Sequence, residues 1–169
     1  MDSGTFDYFT ETIVGKAQAS RGDFTSSEDD NVLVRGVARN KYALGYFGLA
    51  YYEKNKDKLK VAAIDNGKKA VAPSAETVEN GTYTPLSRPL FIYISKKSTN
   101  RPEVQKFMEF YLKEGPALAR EVGYISLPDD IMALVKQKFQ KRITGSAYGG
   151  KPSVGKSLKS LLEGSIEVQ

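Results

Sequence analysis

A continuous apolar segment near the middle of the chain places the tightest limit on the fold. Pro89-Leu90-Phe91-Ile92-Tyr93-Ile94-Ser95 has the length of a β-strand and carries apolar side chains at consecutive positions. A strand with apolar residues on both faces is typical of a sheet that helices cover on either side. The segment therefore predicts a buried strand within a layered α/β fold.

The segments around this strand alternate between helical and extended patterns, which favours the α/β class. Gly15 is expected to end the first helix, Asn40 the second, and Gly115-Pro116 the helix that Pro102 begins. Ser27 is the expected N-cap of the second helix. Helices are predicted over residues 3–14, 27–40, 49–54, 75–78, 102–114, 118–122, 129–139 and 157–162, and further strands over residues 42–48 and 59–64.

The composition narrows the function classes. The chain has 169 residues with no His and no Cys, which removes the commonest general base, the commonest zinc ligand and all thiol chemistry. These absences disfavour hydrolases and metalloenzymes, so no catalysis, cofactor or metal is predicted. The net charge of +5 suggests attraction to anions, although a lysine-rich surface that keeps the chain in solution is the favoured explanation.

The first residues, Asp2-Ser3-Gly4-Thr5, open the first predicted helix. Backbone N–H groups at a helix N-terminus lack intrahelical partners and carry partial positive charge. Two hydroxyl groups beside a glycine add donors and let an anion approach closely. The motif has two interpretations, an ordinary N-cap or an anion site made by Ser3, Gly4 and Thr5.

The residues Gly150-Lys151-Pro152-Ser153-Val154-Gly155-Lys156-Ser157 match the letters of a nucleotide-binding P-loop. A working P-loop follows a buried strand, whereas Thr144-Gly145-Ser146-Ala147-Tyr148-Gly149 has no strand character. A Gly- and Ser-rich tail is the favoured interpretation. A nucleotide-binding or phosphotransfer module remains the alternative function, and a basic nucleic-acid-binding domain is a third.

Two further clusters have a structural and a functional interpretation. Glu28-Asp29-Asp30 fits the first turn of a helix, where the dipole favours acids, better than a divalent-cation site. A group of aromatic residues favours core packing over base stacking, because no Arg or Lys is interleaved within the predicted strand. Its members are Tyr42, Tyr46, Phe47, Tyr51 and Tyr52.

Taken together, ordered motifs make the chain resemble the phosphate-binding proteins of ABC phosphate-uptake systems, in their cyanobacterial branch. The resemblance rests on four stretches: Asp2–Phe9, Ser27–Phe47, Pro85–Ile94 and Val122–Pro128. It implies a type II periplasmic-binding-protein fold and binding of inorganic phosphate through Ser3, Gly4 and Thr5. It also implies an ABC transporter permease as partner, a periplasmic location, and neither nucleic-acid binding nor membrane insertion.

The resemblance begins at the family's second lobe. It assigns residues 1–88 to that lobe, residues 89–141 to the returning strand and helices of an incomplete first lobe, and residues 142–169 to a tail with a weak helix. The first lobe is then expected in cis or in trans. No signal peptide is recognised at Met1–Thr5. Many members place an arginine shortly before Ser-Gly-Thr, and Arg21 is the candidate to replace it here.

Overall fold

The computed structural model describes residues 3–148 and 157–167, with side chains through residue 164. The described residues form two compact units, one up to Thr77 and one from Val78 onward. The first unit contains the candidate anion site. The assignment of residues 1–88 and 89–141 to two lobes stays a prediction.

The first helix, α1, spans Gly4–Val14, which confirms the predicted helix to within one residue. Ser3 has an extended backbone conformation, and its Oγ accepts a hydrogen bond of 3.3 Å from the Phe6 N–H. Gly15 takes the left-handed conformation with φ of 81° and donates its N–H to the Glu11 carbonyl. Both ends of α1 therefore have the caps that the sequence predicts.

Thr10 ties α1 to the loop that follows it. Its side chain is 2% exposed, and its hydroxyl donates to the Phe6 carbonyl at 2.7 Å. The same oxygen accepts the backbone N–H of Gln18 at 2.7 Å. Because Gln18 is a non-glycine residue with φ of 63°, this hydrogen bond stabilises a backbone conformation that is otherwise disfavoured.

The helix α2 spans Asp30–Arg39 and ends at Asn40 as predicted. Its N-cap is Asp29 rather than Ser27, which corrects the predicted start. The Asp29 carboxylate accepts from the Asn31 N–H at 2.9 Å, while Ser27 Oγ accepts the Asp29 N–H at 3.0 Å. Asp and Ser are equally good caps, and the turn before the helix decides between them. A short helix, α3, follows at Leu49–Glu53, as expected.

The described residues contain one small sheet. The strands β1, Ile64–Asp65, and β2, Ala70–Val71, pair antiparallel with Ile64 opposite Val71. The predicted strand over residues 42–48 is irregular, and the one over residues 59–64 is reduced to its last residue. Both predictions were wrong because a strand needs a hydrogen-bonding neighbour, and none lies beside residues 42–63 in the described part of the chain.

The apolar segment Pro89–Ser95 is also irregular, and the expected burial is not observed. Leu90 is 68% exposed and Tyr93 is 78% exposed. Among the described residues no strand lies alongside to satisfy its backbone groups. The predicted buried strand is therefore corrected to an irregular, largely exposed segment.

The helix α4 spans Ala75–Glu79, and the division between the two units falls within it, after Thr77. The second unit is mainly helical. A 3₁₀ turn at Ser98–Asn100 leads into α5, Pro102–Glu121. The chain continues with α6, Asp129–Gln140, and α7, Leu158–Glu167. The helices at 102, 129 and 157–162 confirm the predictions in type and place. The buried apolar side chains are Met108, Leu112, Ile131 and Leu162.

The break predicted at Gly115-Pro116 does not occur, because α5 runs through both residues. Proline removes one helical hydrogen bond and costs roughly 3 kcal/mol inside a helix. Ending one helix and starting another leaves up to about four carbonyls and about four N–H groups without helical partners. The continuous helix is the less costly arrangement.

Thr10→Val is expected to destabilise the protein by about 0.5–1.5 kcal/mol, since it removes the partly buried hydrogen bond that the Thr10 hydroxyl accepts from the Gln18 N–H. Thr12→Val is the matched control on the same helix: the Thr12 hydroxyl is buried and has no hydrogen-bond partner within the described ranges. Its replacement should be neutral or slightly stabilising. Urea unfolding followed by circular dichroism measures both, and equal losses in the two variants would contradict the role of Thr10.

Candidate functional site

The N-terminus of α1 presents backbone donors. The N–H groups of Gly4 and Thr5 lie in the first turn, where a helix offers them no acceptor. The Phe6 N–H is already bound to Ser3 Oγ. Gly4 is exposed, and the Ser3 and Thr5 side chains are partly exposed. The structure thus brings all three predicted residues to one accessible, electropositive helix end.

Capping and anion binding use different parts of the Ser3 hydroxyl. In the cap, one lone pair of Ser3 Oγ accepts the hydrogen bond from the Phe6 N–H. A serine hydroxyl also carries one O–H donor. That hydrogen is available for an anion while the cap stays in place. The two interpretations of Ser3-Gly4-Thr5 are therefore compatible.

Asp7 is a residue near the site that the sequence reasoning did not single out. It lies in the first turn of α1, and its Oδ1 is buried without a hydrogen-bond partner in the described part of the chain. An acid in this position offsets the partial positive charge of the helix end. Its position three residues after Gly4, in the first turn of the predicted helix, could have identified Asp7 from the sequence.

Aromatic stacking holds α1 against the chain that follows it. The Phe9 and Tyr46 rings stack with centroids 3.9 Å apart and planes 7° apart. Phe6 stacks on Phe24 at 5.7 Å. Burial raises the pKa of Tyr46 above its ordinary value. The packing interpretation of the aromatic residues is confirmed for Tyr46, whereas Tyr42 is 84% exposed.

Gly45 lets the segment around Tyr46 approach α2 closely. A Cβ atom at this position would lie 2.5 Å from Val37 Cγ2, well inside contact distance. Further along, desolvation raises the pKa of Asp30, and a hydrogen bond from the Gly48 backbone N–H partly opposes that rise. These contacts fix the segment that carries Tyr46, and Tyr46 in turn supports the α1 helix of the candidate site.

Arg21 lies in the loop after α1 and is bound to Asp23. Its Nε donates to Asp23 Oδ1 at 2.7 Å, and Nη2 donates to Oδ2 at 2.6 Å. The two side chains are 84% and 66% exposed. This hydrogen bonding raises the pKa of Arg21 and lowers that of Asp23. A contribution of Arg21 to anion binding stays a prediction, and it requires exchange of Asp23 for the anion.

The remaining candidates do not add to this site. Within the P-loop match, residues 150–156 lie outside the described residues, and Ser157 directly precedes α7. Asp29 of the acidic cluster caps α2. In the described ranges no group of three or more His, Cys, Asp or Glu side chains is placed to hold a metal ion. None of the helices there is long and apolar enough to cross a bilayer.

The family follows from the comparison with known proteins. Residues 1–114 match the PBP superfamily domain, and the chain belongs to that superfamily. The predicted periplasmic-binding-protein-like α/β class is thereby confirmed. The family expected from the ordered motifs is confirmed as well.

Several relatives are similar over most of this chain. It is 48% identical over 163 residues to the protein SphX of Synechococcus elongatus, covering 96% of this chain and 48% of that protein. It is 40% identical over 129 residues to the phosphate-binding protein PstS of Staphylococcus saprophyticus, covering 74% of this chain and 39% of that protein.

A solved structure is similar in both sequence and fold. A possible phosphate binding protein from Planctomyces limnophilus is 48% identical and superimposes with a TM-score of 0.70. The match covers 85% of this chain and 52% of that one. The chain thus spans about half the length, or less, of these relatives.

Gly45→Ala is expected to destabilise the protein by about 1–3 kcal/mol, because the added methyl overlaps Val37. Gly36→Ala is the matched control: it lies in α2 with open space around it and should stabilise by about 0.5–1 kcal/mol. Thermal unfolding should show a lower melting temperature for Gly45→Ala and a higher one for Gly36→Ala than for the parent. A Gly45→Ala variant as stable as the parent would show that the close approach has no energetic role.

Proposed function

We propose that this chain binds inorganic phosphate through the N-terminus of α1, as part of a solute-binding protein for phosphate uptake. The observation that carries the proposal is the Ser3 cap, which leaves the hydroxyl hydrogen and the Gly4 and Thr5 N–H groups for an anion. The PstS relative is named a phosphate-binding protein and the Planctomyces limnophilus protein a possible phosphate binding protein, and these names support the choice of anion.

The hydrogen-bond donors of Ser3, Gly4 and Thr5 limit the phosphate affinity of this site. Three hydrogen bonds to a charged group supply about 5–9 kcal/mol at most, and the helix dipole adds about 0.3–2 kcal/mol. Association and ordering cost about 4 kcal/mol or more. A micromolar site needs about 8 kcal/mol net. Ser3, Gly4 and Thr5 alone should therefore bind phosphate near millimolar concentration.

The proposal also includes the role of the chain in phosphate uptake. The resemblance to phosphate-uptake proteins supports a binding function without catalysis or cofactor. It also supports a periplasmic location and an ABC transporter permease as partner. Since the chain spans about half of the relatives it matches, tight binding requires a complementary lobe, in cis or in trans, that closes over the anion. The comparisons support neither the nucleotide-binding alternative nor the nucleic-acid alternative.

Ser3→Asp should separate capping from phosphate binding. Asp caps helices as well as Ser does, so the thermal stability should be retained. The added carboxylate repels phosphate and removes the O–H donor, so binding should be lost. An NMR titration at constant ionic strength would follow the Gly4 and Thr5 amide signals. Ser3→Ala loses both functions, and phosphate shifts that persist in Ser3→Asp would contradict the site.

Arg21→Ala tests the second element of the site in the same titration. If the guanidinium exchanges Asp23 for phosphate, the variant should bind several-fold more weakly. Asp23→Asn, which releases Arg21 from its ion pair, should bind more tightly. Thr12→Val serves as the control, because it lies on α1 without contributing a donor at the N-terminus. Equal phosphate affinity in Arg21→Ala and the parent would remove Arg21 from the site.

A further inference from the structure

A small cavity in the second unit lies between the 3₁₀ turn, α5 and the C-terminal end of α6. Its volume is about 160 Å³, which corresponds to roughly five water molecules. The residues around it are Thr99, Gln105, Glu109, Phe139, Gln140 and Arg142. All of them except Phe139 are polar or charged, whereas ligand pockets are mostly apolar. The cavity therefore suits a small polar molecule.

Arg142 has a strained backbone conformation at the edge of this cavity. It directly follows Lys141, the C-cap of α6, and its φ of 53° lies in the left-handed region. Its N–H donates to the Phe139 carbonyl, and the Ile143 N–H donates to the Lys138 carbonyl. These two bonds form a Schellman motif, in which glycine is the usual left-handed residue. An arginine in this position costs conformational energy, and such strain is concentrated at functional sites.

Hydrogen bonds within the second unit fix the walls of the cavity. Arg142 Nη1 donates to Asn100 Oδ1, which joins the end of α6 to the 3₁₀ turn. Gln105 Nε2 donates to the Thr99 carbonyl at 2.9 Å, which joins α5 to the same turn. The cavity is therefore shaped by contacts among its own residues and their neighbours.

Two opposite charges line the cavity without pairing. Glu109 and Arg142 form no ion pair with each other, so their charged atoms are more than 4.0 Å apart. Among the described residues, the Glu109 carboxylate has no hydrogen-bond or ion-pair partner. A guanidinium has five N–H donors, and Asn100 accepts from one nitrogen of Arg142. Both charged groups therefore retain hydrogen-bonding capacity for a ligand.

We propose that this cavity binds a small zwitterion of the α-amino-acid class. The ligand carboxylate would accept hydrogen bonds from the free donors of Arg142, whose planar fork matches a carboxylate. The ligand ammonium would donate to the Glu109 carboxylate, and the Gln140 side-chain amide would add a polar contact. A simple anion would be repelled by Glu109. The proposal does not depend on phosphate binding, because the candidate phosphate site lies in the first unit.

L-alanine and two compounds that each carry one of its charges test the proposal on the full chain. Propionate retains only the carboxylate, and ethylammonium retains only the ammonium. In an NMR titration at constant ionic strength, L-alanine should shift the side-chain amide signals of Gln105 and Gln140. Propionate and ethylammonium should each bind at least about tenfold more weakly, since each lacks one charge-assisted contact.

Three variants separate binding from folding. Arg142→Gly introduces the residue that the Schellman motif favours, so the thermal stability should be retained or raised while L-alanine binding is lost. Glu109→Gln should weaken binding at least about tenfold. Glu103→Gln is the matched control, because it makes the same change at an exposed position of α5 that does not line the cavity. It should bind L-alanine like the parent.

Three results would each overturn the proposal. The first is the absence of any L-alanine shift at tens of millimolar. The second is equal binding of L-alanine and either single-charge compound. The third is an Arg142→Gly variant that binds L-alanine as well as the parent does.

Discussion

Backbone hydrogen bonding is the constraint on which the rest of this structure depends. A helix satisfies its interior N–H and C=O groups from within, so each segment with a helical pattern forms where local signals place it. A strand depends on a neighbour. Among the described residues only Ile64–Asp65 and Ala70–Val71 have one, and the apolar run Leu90–Tyr93 is irregular and exposed.

The same constraint creates the candidate anion site. A helix leaves its first N–H groups without internal acceptors, and α1 begins with small residues that keep those groups accessible. Ser3 satisfies the Phe6 N–H and retains its own hydrogen for another acceptor. A single side chain therefore stabilises the helix and, in the proposed site, also supplies a donor for an anion. Thr10 and the Phe9–Tyr46 stack keep this helix in place.

The sequence predicted most of the helices and the candidate site, and it did so from local information. The cap at Ser3, the stop at Gly15 and the proline that begins α5 depend on neighbouring residues alone. The errors arose where distant or competing interactions decide. In the described part of the chain, the segment at 89–95 lacks a neighbouring strand. The helix α5 passes Pro116 because two new helix ends would cost more than one lost hydrogen bond.

Membership of the PBP superfamily was visible in the order of short motifs, through their resemblance to a known family. So were the positions of Ser3, Gly4 and Thr5 at a helix start. Only the tertiary structure decided which polar groups are already occupied. Arg21 is bound to Asp23, Thr10 holds Gln18, and Asp7 has a buried oxygen without a partner among the described residues. Hydrogen-bond partners and burial depend on the folded arrangement of each unit, and no pattern of neighbouring residues contains that information.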